Sequence, residues 1–327
     1  MSKISFIGTG AYGTALANVL LKNNHEVNFY GIDDQEINDL KQGLNTKYFN
    51  QKKMHKIPNL VTKNLEDVLN NVDLIVLATP SKATRFILKK IDDFKLNKQF
   101  NFINLSKGLD AEKNDLLSRT LTSDFSHIIN NYAALIGPSF AQEVFDENLT
   151  MINIVSENEE YNKMIAKLFT NENFKVIPNT DLITLQTYSV LKNIYALATG
   201  MTKAMHDAYN TLVSVLTLGF KETNHYLKQV EKITPESISE LAAFGDFVLT
   251  ATSNKSRNFS FGYEIGKLGI EEATKLHKSV TTEGFVSLLA ISKKLNNNLE
   301  DFPLLNSLYQ ICYGNKSHRD LLDFLSK

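Results

Sequence analysis

A glycine-rich segment near the N-terminus places the strongest constraint on the fold. The residues Gly8-Thr-Gly-Ala-Tyr-Gly13 match the pattern G-x-G-x-x-G. An apolar run, residues 3–7, precedes them, and a helical pattern with Leu16, Val19 and Leu20 on one face follows. A strand, a glycine turn and a helix in this order are typical of the first βαβ unit of a dinucleotide-binding sheet.

Each glycine of this turn has a separate predicted role. Gly8 permits the tight turn, Gly10 lets backbone amides approach a pyrophosphate, and Gly13 lets the helix pack closely on the strand. The helix N-terminus adds a favourable field for the anion. A glycine turn without a ligand is the competing interpretation, and a second apolar run at residues 26–30 argues against it because that run completes the expected unit.

Short β-rich runs alternate with helical stretches through the first half of the chain. This alternation predicts βαβ units and a parallel sheet. The runs at 73–77 and 132–136 are apolar on both faces, as in strands that helices cover on either side, and Pro178 is expected to end the pattern. The predicted strands are residues 3–7, 26–30, 73–77, 100–105, 132–136, 151–155 and 174–177.

The second half of the chain has a helical character. Beyond residue 180, apolar residues recur at intervals of three and four, as in the series Leu185, Tyr188 and Leu191. Thr234-Pro235-Glu236 predicts a helix start, and another helix is expected to begin near Pro303. We therefore predict an α/β protein with a Rossmann-type doubly wound sheet in residues 1–180 and an all-α domain in residues 181–327.

Composition excludes several classes of function. The 35 Lys and Arg residues are balanced by 36 Asp and Glu, so the chain has no overall field for nucleic acid or an anionic membrane. The longest aliphatic run, residues 74–78, is far shorter than the roughly 20 residues that span a bilayer. Cys312 is the single cysteine, and the histidines lack metal-ligand spacing. We expect a cytoplasmic protein without a metal, a nucleic-acid partner or stable membrane insertion.

The residues after the second predicted strand indicate which dinucleotide is bound. Asp33 and Asp34 lie about 20 residues beyond the last glycine of the turn, where an acid accepts from the adenosine ribose. No Lys or Arg occurs between Lys22 and Lys41, so a 2′-phosphate would meet carboxylates without a cation. This predicts a preference for NAD (NADH), with NADP possible but weaker. Which aspartate faces the ribose stays open, as does the alternative that both are solvated turn residues.

A serine after the fifth predicted strand resembles a hydrolase nucleophile only superficially. Residues 137–141 read Gly-Pro-Ser-Phe-Ala and lack the last glycine of G-x-S-x-G, and Pro138 suits an extended or turning backbone better than a strained elbow. We reject that interpretation. Gly137 and Ser139 remain candidate donors at the carboxyl end of a strand, where open α/β sheets bind ligands.

Cationic residues in three short segments are candidates for chemistry: Ser106-Lys107-Gly108, Lys192-Asn193 and Ser256-Arg257-Asn258. Lys192 has apolar neighbours on nearly every helical face, which predicts burial, a lowered pKa and a capacity to accept a proton. Asp246 and Thr250 are four residues apart on another apolar helix and share one face. Because an unpaired buried carboxylate would be unfavourable, we expect Asp246 to pair with a lysine.

Several segments in order along nearly the whole chain resemble bacterial NAD(P)-dependent glycerol-3-phosphate dehydrogenase. That family joins a dinucleotide-binding domain to a helical domain and interconverts dihydroxyacetone phosphate and sn-glycerol 3-phosphate, mainly for phospholipid synthesis. The matching segments are GTGAYGTALA from Gly8, TPS at 79–81, SKGLD at 106–110, GPSFAQE at 137–143, LKN at 191–193, GDFVLT at 245–250, SRN at 256–258 and TEG at 282–284.

The resemblance implies roles for the substrate site. Lys192 would exchange a proton with the C2 hydroxyl, Lys107 would polarise the C2 oxygen, and Asp246 would order the lysine together with Thr250. Arg257 and Asn258 would hold the substrate phosphate with Ser256 nearby, and a guanidinium fork suits a phosphate well. The remaining implied substrate contacts are Gly137, Ser139 and Asn193.

The resemblance also implies the cofactor contacts and a homodimer. Three positions depart from the usual pattern: Ile32 stands where many relatives carry His or Arg, Ala11 where serine is common, and Thr282 where valine is usual. Ile32 agrees with weaker use of NADP, and Ala11 leaves the backbone amides in place for binding. The change at Thr282 has no interpretation. The implied cofactor contacts are Gly8, Gly10, Ala11, Tyr12, Gly13, Ile32, Asp33, Pro80, Lys107, Ala141, Arg257, Thr282 and Glu283.

Two other functions are compatible with the same fold. Sugar-acid phosphate, hydroxy-acid and ketopantoate reductases also join a dinucleotide domain to a helical one, but Lys192 together with Arg257 and Asn258 favours a small phosphorylated ketone. A dinucleotide sensor without turnover would be expected to lack the base or the phosphate clamp, and this chain has both.

Overall fold

The computed structural model describes residues 1–276 and 282–326. Contacts divide the chain into two compact units. The first unit contains residues 1–106 and 117–182, and the second contains residues 107–116 and the described part of 183–327. The predicted domains, 1–180 and 181–327, differ from this division mainly in the short segment 107–116.

Eight strands of the first unit form one sheet among the described residues. They are β1 (Lys3–Ile7), β2 (Glu26–Tyr30), β3 (Leu60–Thr62), β4 (Leu74–Leu77), β5 (Phe100–Asn104), β8 (Ile129–Ile136), β9 (Thr150–Val155) and β10 (Phe174–Asn179). Their order in the sheet is β10-β9-β8-β5-β4-β1-β2-β3. Every predicted strand is present, and the sequence does not predict β3 because its three residues carry too little pattern.

The central strands are covered on both faces, as the sequence predicts. All four residues of β4 are buried, with exposures of 1% or less. The helices of this unit are α1 (Ala11–Lys22), α2 (Asp34–Leu40), α3 (Thr46–Phe49), α4 (Ser81–Asp93), α5 (Leu117–Asp124), α6 (Ala141–Phe145) and α7 (Glu159–Phe169). The predicted α/β fold with a doubly wound sheet is confirmed.

Two details of the sheet differ from the prediction. β9 is antiparallel to β8, so β9 and β10 run against the other strands. The intervening helix α6 has five residues and spans roughly 7.5 Å, too short to carry the chain back along a strand. Pro178 does not end β10 but pairs with Ile154, which is possible because β10 is an edge strand with one side unpaired.

The second unit consists of helices and a small hairpin. The hairpin strands β6 (Leu109–Asp110) and β7 (Asp115–Leu116) pair in antiparallel fashion. The helices are α8 (Leu182–Met205), α9 (Tyr209–Gln229), α10 (Asp246–Thr252), α11 (Arg257–Leu268), α12 (Ile270–Leu276), α13 (Glu283–Lys294) and α14 (Pro303–Tyr313). The predicted helix start at Pro303 is confirmed.

The predicted helix start at Thr234-Pro235-Glu236 is wrong. A three-residue 3-10 turn, Ser237–Ser239, follows it, and a π-helical turn, Leu241–Gly245, leads into α10. The turn buries none of its residues, so it has no apolar face to anchor a longer helix. Within the described residues, no helix is both long and apolar enough to cross a membrane.

Candidate active site

The glycine turn between β1 and α1 has the geometry that its motif predicts. Gly8 has a φ of 117°, and a Cβ atom there would lie 2.5 Å from the carbonyl oxygen of Ala78. A Cβ atom at Gly13 would lie 2.8 Å from the Cβ of Ala78. At Gly10, by contrast, a Cβ atom would meet nothing within 4 Å. Gly8 and Gly13 therefore bring the turn against β4, while Gly10 faces open space.

The open side of this turn suits a phosphate. Helix α1 begins at Ala11, and its N-cap residue, Gly10, makes no side-chain capping bond. A pyrophosphate would find backbone N–H groups and the positive end of a helix there. The hydroxyl groups of Tyr12 and Ser139 lie 2.7 Å apart, and Ser139 also donates to the carbonyl oxygen of Gly137.

Asp33 lies at the carboxyl end of β2 and caps helix α2. Its Oδ1 accepts from the Glu36 N–H at 3.0 Å, and its Oδ2 lies 3.2 Å from Lys47 Nζ. The backbone hydrogen bond from Glu36, followed by the Lys47 contact, lowers the pKa of Asp33. Ile32, beside it, is 80% exposed.

The expectation that no cation stands near these aspartates is wrong. Lys47 contacts Asp33, and Lys63 Nζ lies 2.5 Å from Asp34 Oδ1. Both lysines come from later segments of the chain. The lack of Lys and Arg between positions 22 and 41 therefore does not mean that the two aspartates lack nearby cations in the folded protein. Asp33 and Asp34 thus each have a lysine partner.

Glu36 is a buried carboxylate that the sequence analysis missed. It accepts hydrogen bonds from the hydroxyl of Thr9, from Tyr48 Oη at 2.8 Å and from Lys47 Nζ at 2.6 Å. Thr9 belongs to the glycine turn. The Glu36 carboxylate therefore connects that turn to Lys47, which also contacts Asp33. The only local signal was an acid in the first turn of a helix, which is common on exposed surfaces.

Lys192, Lys107, Asp246 and Thr250 form one buried cluster in the second unit. Lys192 and Asp246 are each 1% exposed and form an ion pair through Nζ and Oδ2. Lys107 Nζ lies 3.1 Å from the same Oδ2. Lys192 Nζ donates to Thr250 Oγ1 at 3.0 Å. The predicted burial of Lys192 and its predicted pairing with Asp246 are both present.

The cluster holds two amines around one carboxylate. Burial lowers the pKa of Lys192 from 10.5 to about 7, opposed by Asp246 and assisted by the charge of Lys107. Burial by itself would raise the pKa of Asp246, but the two lysines outweigh it and leave that pKa lowered. Near neutral pH the arrangement supplies a carboxylate and an amine that can gain or lose a proton.

The segment 256–258 begins helix α11. Ser256 caps the helix by accepting from the Phe259 N–H at 3.3 Å. Arg257 is exposed, and within the described part of the chain its guanidinium has no hydrogen-bond or ion-pair partner. A cation and the first amides of a helix therefore lie together, which suits an anion.

Asn193 and Asn258 bond to each other. Asn258 Nδ2 donates to Asn193 Oδ1 at 3.0 Å, and Asn258 Oδ1 accepts from the Gly284 N–H at 2.9 Å. Asn193 Nδ2 donates to the Ser189 carbonyl oxygen at 3.2 Å. These two amides join helices α8, α11 and α13.

The remaining predicted contacts lie at the ends of elements. Pro80 is exposed at the N-terminus of α4, and Gly137 is buried after β8. Ala141 begins α6 and is half-buried. Thr282 is buried before α13, and Glu283 is the first residue of that helix.

Comparison with known proteins matches both halves of the chain. Residues 3–162 match the family described as the NAD-dependent glycerol-3-phosphate dehydrogenase N-terminus, and residues 181–323 match the corresponding C-terminus. A glycerol-3-phosphate dehydrogenase [NAD(P)+] of Malacoplasma penetrans is 35% identical over 316 residues, which is 96% of this chain and 93% of that protein. One from Mesoplasma florum is 36% identical over 329 residues, with coverages of 99% and 97%.

A solved structure has the same fold. The crystal structure of glycerol-3-phosphate dehydrogenase from Coxiella burnetii superposes with a TM-score of 0.89 at 24% identity, covering 100% of this chain and 99% of that one.

Proposed function

The chain belongs to the NAD-dependent glycerol-3-phosphate dehydrogenase family, and we propose that it interconverts dihydroxyacetone phosphate and sn-glycerol 3-phosphate with NADH and NAD. The observation that carries this proposal is the buried Lys192–Asp246–Lys107 cluster. A ketone reduction needs a proton donor at the carbonyl oxygen, and the reverse reaction needs a base at the hydroxyl. Lys192, with its lowered pKa, can act as either.

Lys192 exchanges the proton with the C2 oxygen of the substrate. In reduction its ammonium donates to the developing alkoxide, and in oxidation its neutral amine accepts the hydroxyl proton. Asp246 and Thr250 hold the Nζ atom of Lys192 in place through the ion pair and the 3.0 Å hydrogen bond. Positional restraint of this kind keeps proton transfer within hydrogen-bond reach.

Lys107 polarises the C2 oxygen as a fixed cation. Its side chain is 24% exposed, whereas that of Lys192 is 2% exposed. Water therefore solvates the ammonium of Lys107 better and favours its charged form. With Lys107 on Asp246, Lys192 can lose its proton without leaving the carboxylate unpaired. The two lysines therefore have different roles although they share one acid.

Arg257 holds the substrate phosphate. Its exposed guanidinium offers a bidentate fork, and the N-terminus of α11 adds backbone N–H groups. Asn258 and Ser256 line the same helix start. The hydrogen bond between Asn258 and Asn193 supports a role for the two amides in fixing this helix start.

The glycine turn of the first unit would hold the dinucleotide. Gly8, Gly10 and Gly13 with the amides of Ala11 and Tyr12 would carry the pyrophosphate, and Asp33 would accept from the ribose. NADH supplies the hydride when it is bound. The carboxylate of Asp33 supports a preference for NADH, because a 2′-phosphate would be placed beside it. The remaining proposed cofactor contacts are Ile32, Pro80, Lys107, Ala141, Arg257, Thr282 and Glu283.

An NADH-oxidation assay tests the proposed substrate. The purified chain should consume NADH with dihydroxyacetone phosphate and should not do so with 6-phosphogluconate or ketopantoate. Activity restricted to ketopantoate would refute the phosphorylated substrate. Binding of NADH without turnover of any of the three would favour the sensor interpretation.

We further propose a cellular location and an oligomeric state for the chain. We place the protein in the cytoplasm, where its product would supply phospholipid backbones. We also propose a homodimer formed through surfaces of the helical unit. Light scattering during size-exclusion chromatography measures the mass in solution, and a value near 36.9 kDa would refute the dimer.

A further inference from the structure

The hairpin β6–β7 carries Lys107 to the buried cluster. It interrupts the sequence of the first unit, yet contacts assign it to the second. Lys107 lies two residues before β6. Each strand of the hairpin has two residues, and Leu109 and Leu116 are its buried apolar pair, at 6% and 3% exposure. Because so short a hairpin has little stability of its own, it depends on what holds it against the helices.

Lys294 makes a polar attachment of this kind. It is the last residue of α13, and its Nζ lies 2.6 Å from Asp115 Oδ1 on β7. The same Nζ lies 2.7 Å from Glu231 Oε1, just beyond α9. The side chains of Lys294 and Glu231 are 19% and 4% exposed, so the bridge is partly shielded from water. One amine thus joins the hairpin to the ends of two helices.

We propose that Lys294 is a positioning residue for Lys107, holding the hairpin so that the Lys107 amine stays on Asp246. This inference rests on the proposed role of Lys107 at the substrate. Asp115 pairs with Asp110 across the hairpin, and Asp110 follows Lys107 by three residues, so the anchored strand and the lysine belong to one small element. A loss of the bridge frees β7 and, through it, the start of β6.

The expected effect follows from the geometry of Lys107. Its Nζ is 3.1 Å from Asp246 Oδ2, a distance that holds only while the hairpin keeps its place. A displacement of about 1 Å at a reacting group lowers rates by roughly 100-fold. Loosening the hairpin also moves the positive charge of Lys107 away from Lys192. In the intact cluster that charge lowers the pKa of Lys192. The activity should therefore fall, and the pH at which Lys192 titrates should rise.

Three variants and a matched control test the proposal. Lys294→Met keeps the length of the side chain and removes the charge, and Lys294→Arg restores it. Asp115→Asn removes the negative charge from one arm of the bridge and leaves Lys294 paired with Glu231, so it is informative even if Lys294→Met fails to fold. Lys293→Met is the control, because Lys293 precedes Lys294 on the same helix and is exposed.

The measurements are kinetics and hydrogen exchange. For Lys294→Met and Asp115→Asn, kcat/KM with dihydroxyacetone phosphate should fall by about 10- to 100-fold. The pH limb of glycerol 3-phosphate oxidation should move upward, and amides of residues 107–116 should exchange faster. Lys294→Arg and Lys293→Met should behave like the wild type.

The outcomes separate this proposal from the proposed function. A wild type that does not turn over dihydroxyacetone phosphate refutes the proposed function. An active wild type whose folded Lys294→Met and Asp115→Asn variants keep its kinetics and pH limb refutes the positioning role alone. A lower melting temperature without a shifted pH limb also refutes it, because a purely structural residue would act in that way.

Discussion

Replacing Lys192 with Met removes the proposed proton carrier while keeping the fold around it. Met has a similar length and suits a site that is 1% exposed. Asp246 keeps Lys107 as a partner at 3.1 Å, so the substitution does not leave a buried carboxylate unpaired. The variant therefore tests the chemistry of the amine more than the stability of the cluster.

The size of the effect follows from what the amine does. A positioned acid or base contributes about 10²- to 10⁴-fold to a rate. We expect kcat of Lys192→Met to fall within that range, which corresponds to roughly 3–5 kcal/mol of transition-state stabilisation. NADH affinity should be nearly unchanged, since Lys192 is not among the proposed dinucleotide contacts and its proposed role concerns the substrate proton.

The assay follows NADH consumption with dihydroxyacetone phosphate, and fluorescence titration measures NADH binding. Lys203→Met is the matched control, because Lys203 lies on the same helix, is 32% exposed and pairs with Asp207. That variant should keep wild-type turnover. Retention of more than a tenth of kcat by a folded Lys192→Met protein would refute the role of this amine as the proton carrier.

The pH dependence of turnover is an independent test of the proposed role of the Lys192 amine. Because burial lowers the pKa of Lys192 to about 7, its neutral form is present above that pH. Glycerol 3-phosphate oxidation should therefore rise with pH and level off above about 7, while reduction, which needs the ammonium, should decline over the same interval. A wild-type oxidation profile that rises only near pH 10 would contradict a buried amine.

Four further predictions concern the rest of the site and the stability of the chain. Arg257→Lys loses the bidentate fork and should raise KM for the phosphate substrate by about tenfold, whereas an unchanged KM would argue against a phosphate contact. Gly8→Ala should lower the melting temperature, because the positive φ and the 2.5 Å approach to Ala78 leave no room for a Cβ atom, while Gly10→Ala should fold normally and bind NADH more weakly in a titration. Asp33→Ser keeps a capping oxygen and frees Lys47 from one carboxylate, so the ratio of kcat/KM for NADPH to that for NADH should rise by about tenfold, and a lower ratio would overturn the assigned ribose contact. Between about pH 7 and 10, Lys192 is protonated in the unfolded chain but neutral in the folded protein. The free energy of unfolding of the wild type, measured by denaturant titration, should therefore rise with pH over this interval relative to that of Lys192→Met.

The fold could be predicted where the pattern and the packing agree. The strands β1 and β2 begin and end at the predicted residues. Strand direction could not be predicted, since alternation identifies a strand but does not show whether a short helix such as α6 returns the chain along the sheet. The three residues of β3 were missed for a simpler reason, because no periodicity can be read from so few positions.

The site could be predicted only as far as each residue carries its own signal. Lys192 stands out because a charged residue in an apolar helix is unusual, and its burial follows directly. Lys47 and Lys63 were missed because they lie among ordinary surface residues and reach Asp33 and Asp34 only in space. The charges of neighbouring residues in the sequence therefore gave the wrong surroundings for the two aspartates, and the role of Asp33 at the ribose stays a prediction.

The pairing of two lysines with one carboxylate explains why the hairpin matters to the chemistry. If Asp246 had Lys192 alone, deprotonation of that amine would leave a buried carboxylate without a partner, and the amine would hold its proton more tightly. Lys107 supplies the second cation, so Lys192 can become neutral while Asp246 stays paired. Lys107 belongs to the second unit, but in the sequence its segment lies between two parts of the first unit. The position of Lys107 depends on a hairpin whose strands have two residues each. If Lys294 holds the hairpin as we propose, the acidity of the buried amine is set in part by how firmly that hairpin is held.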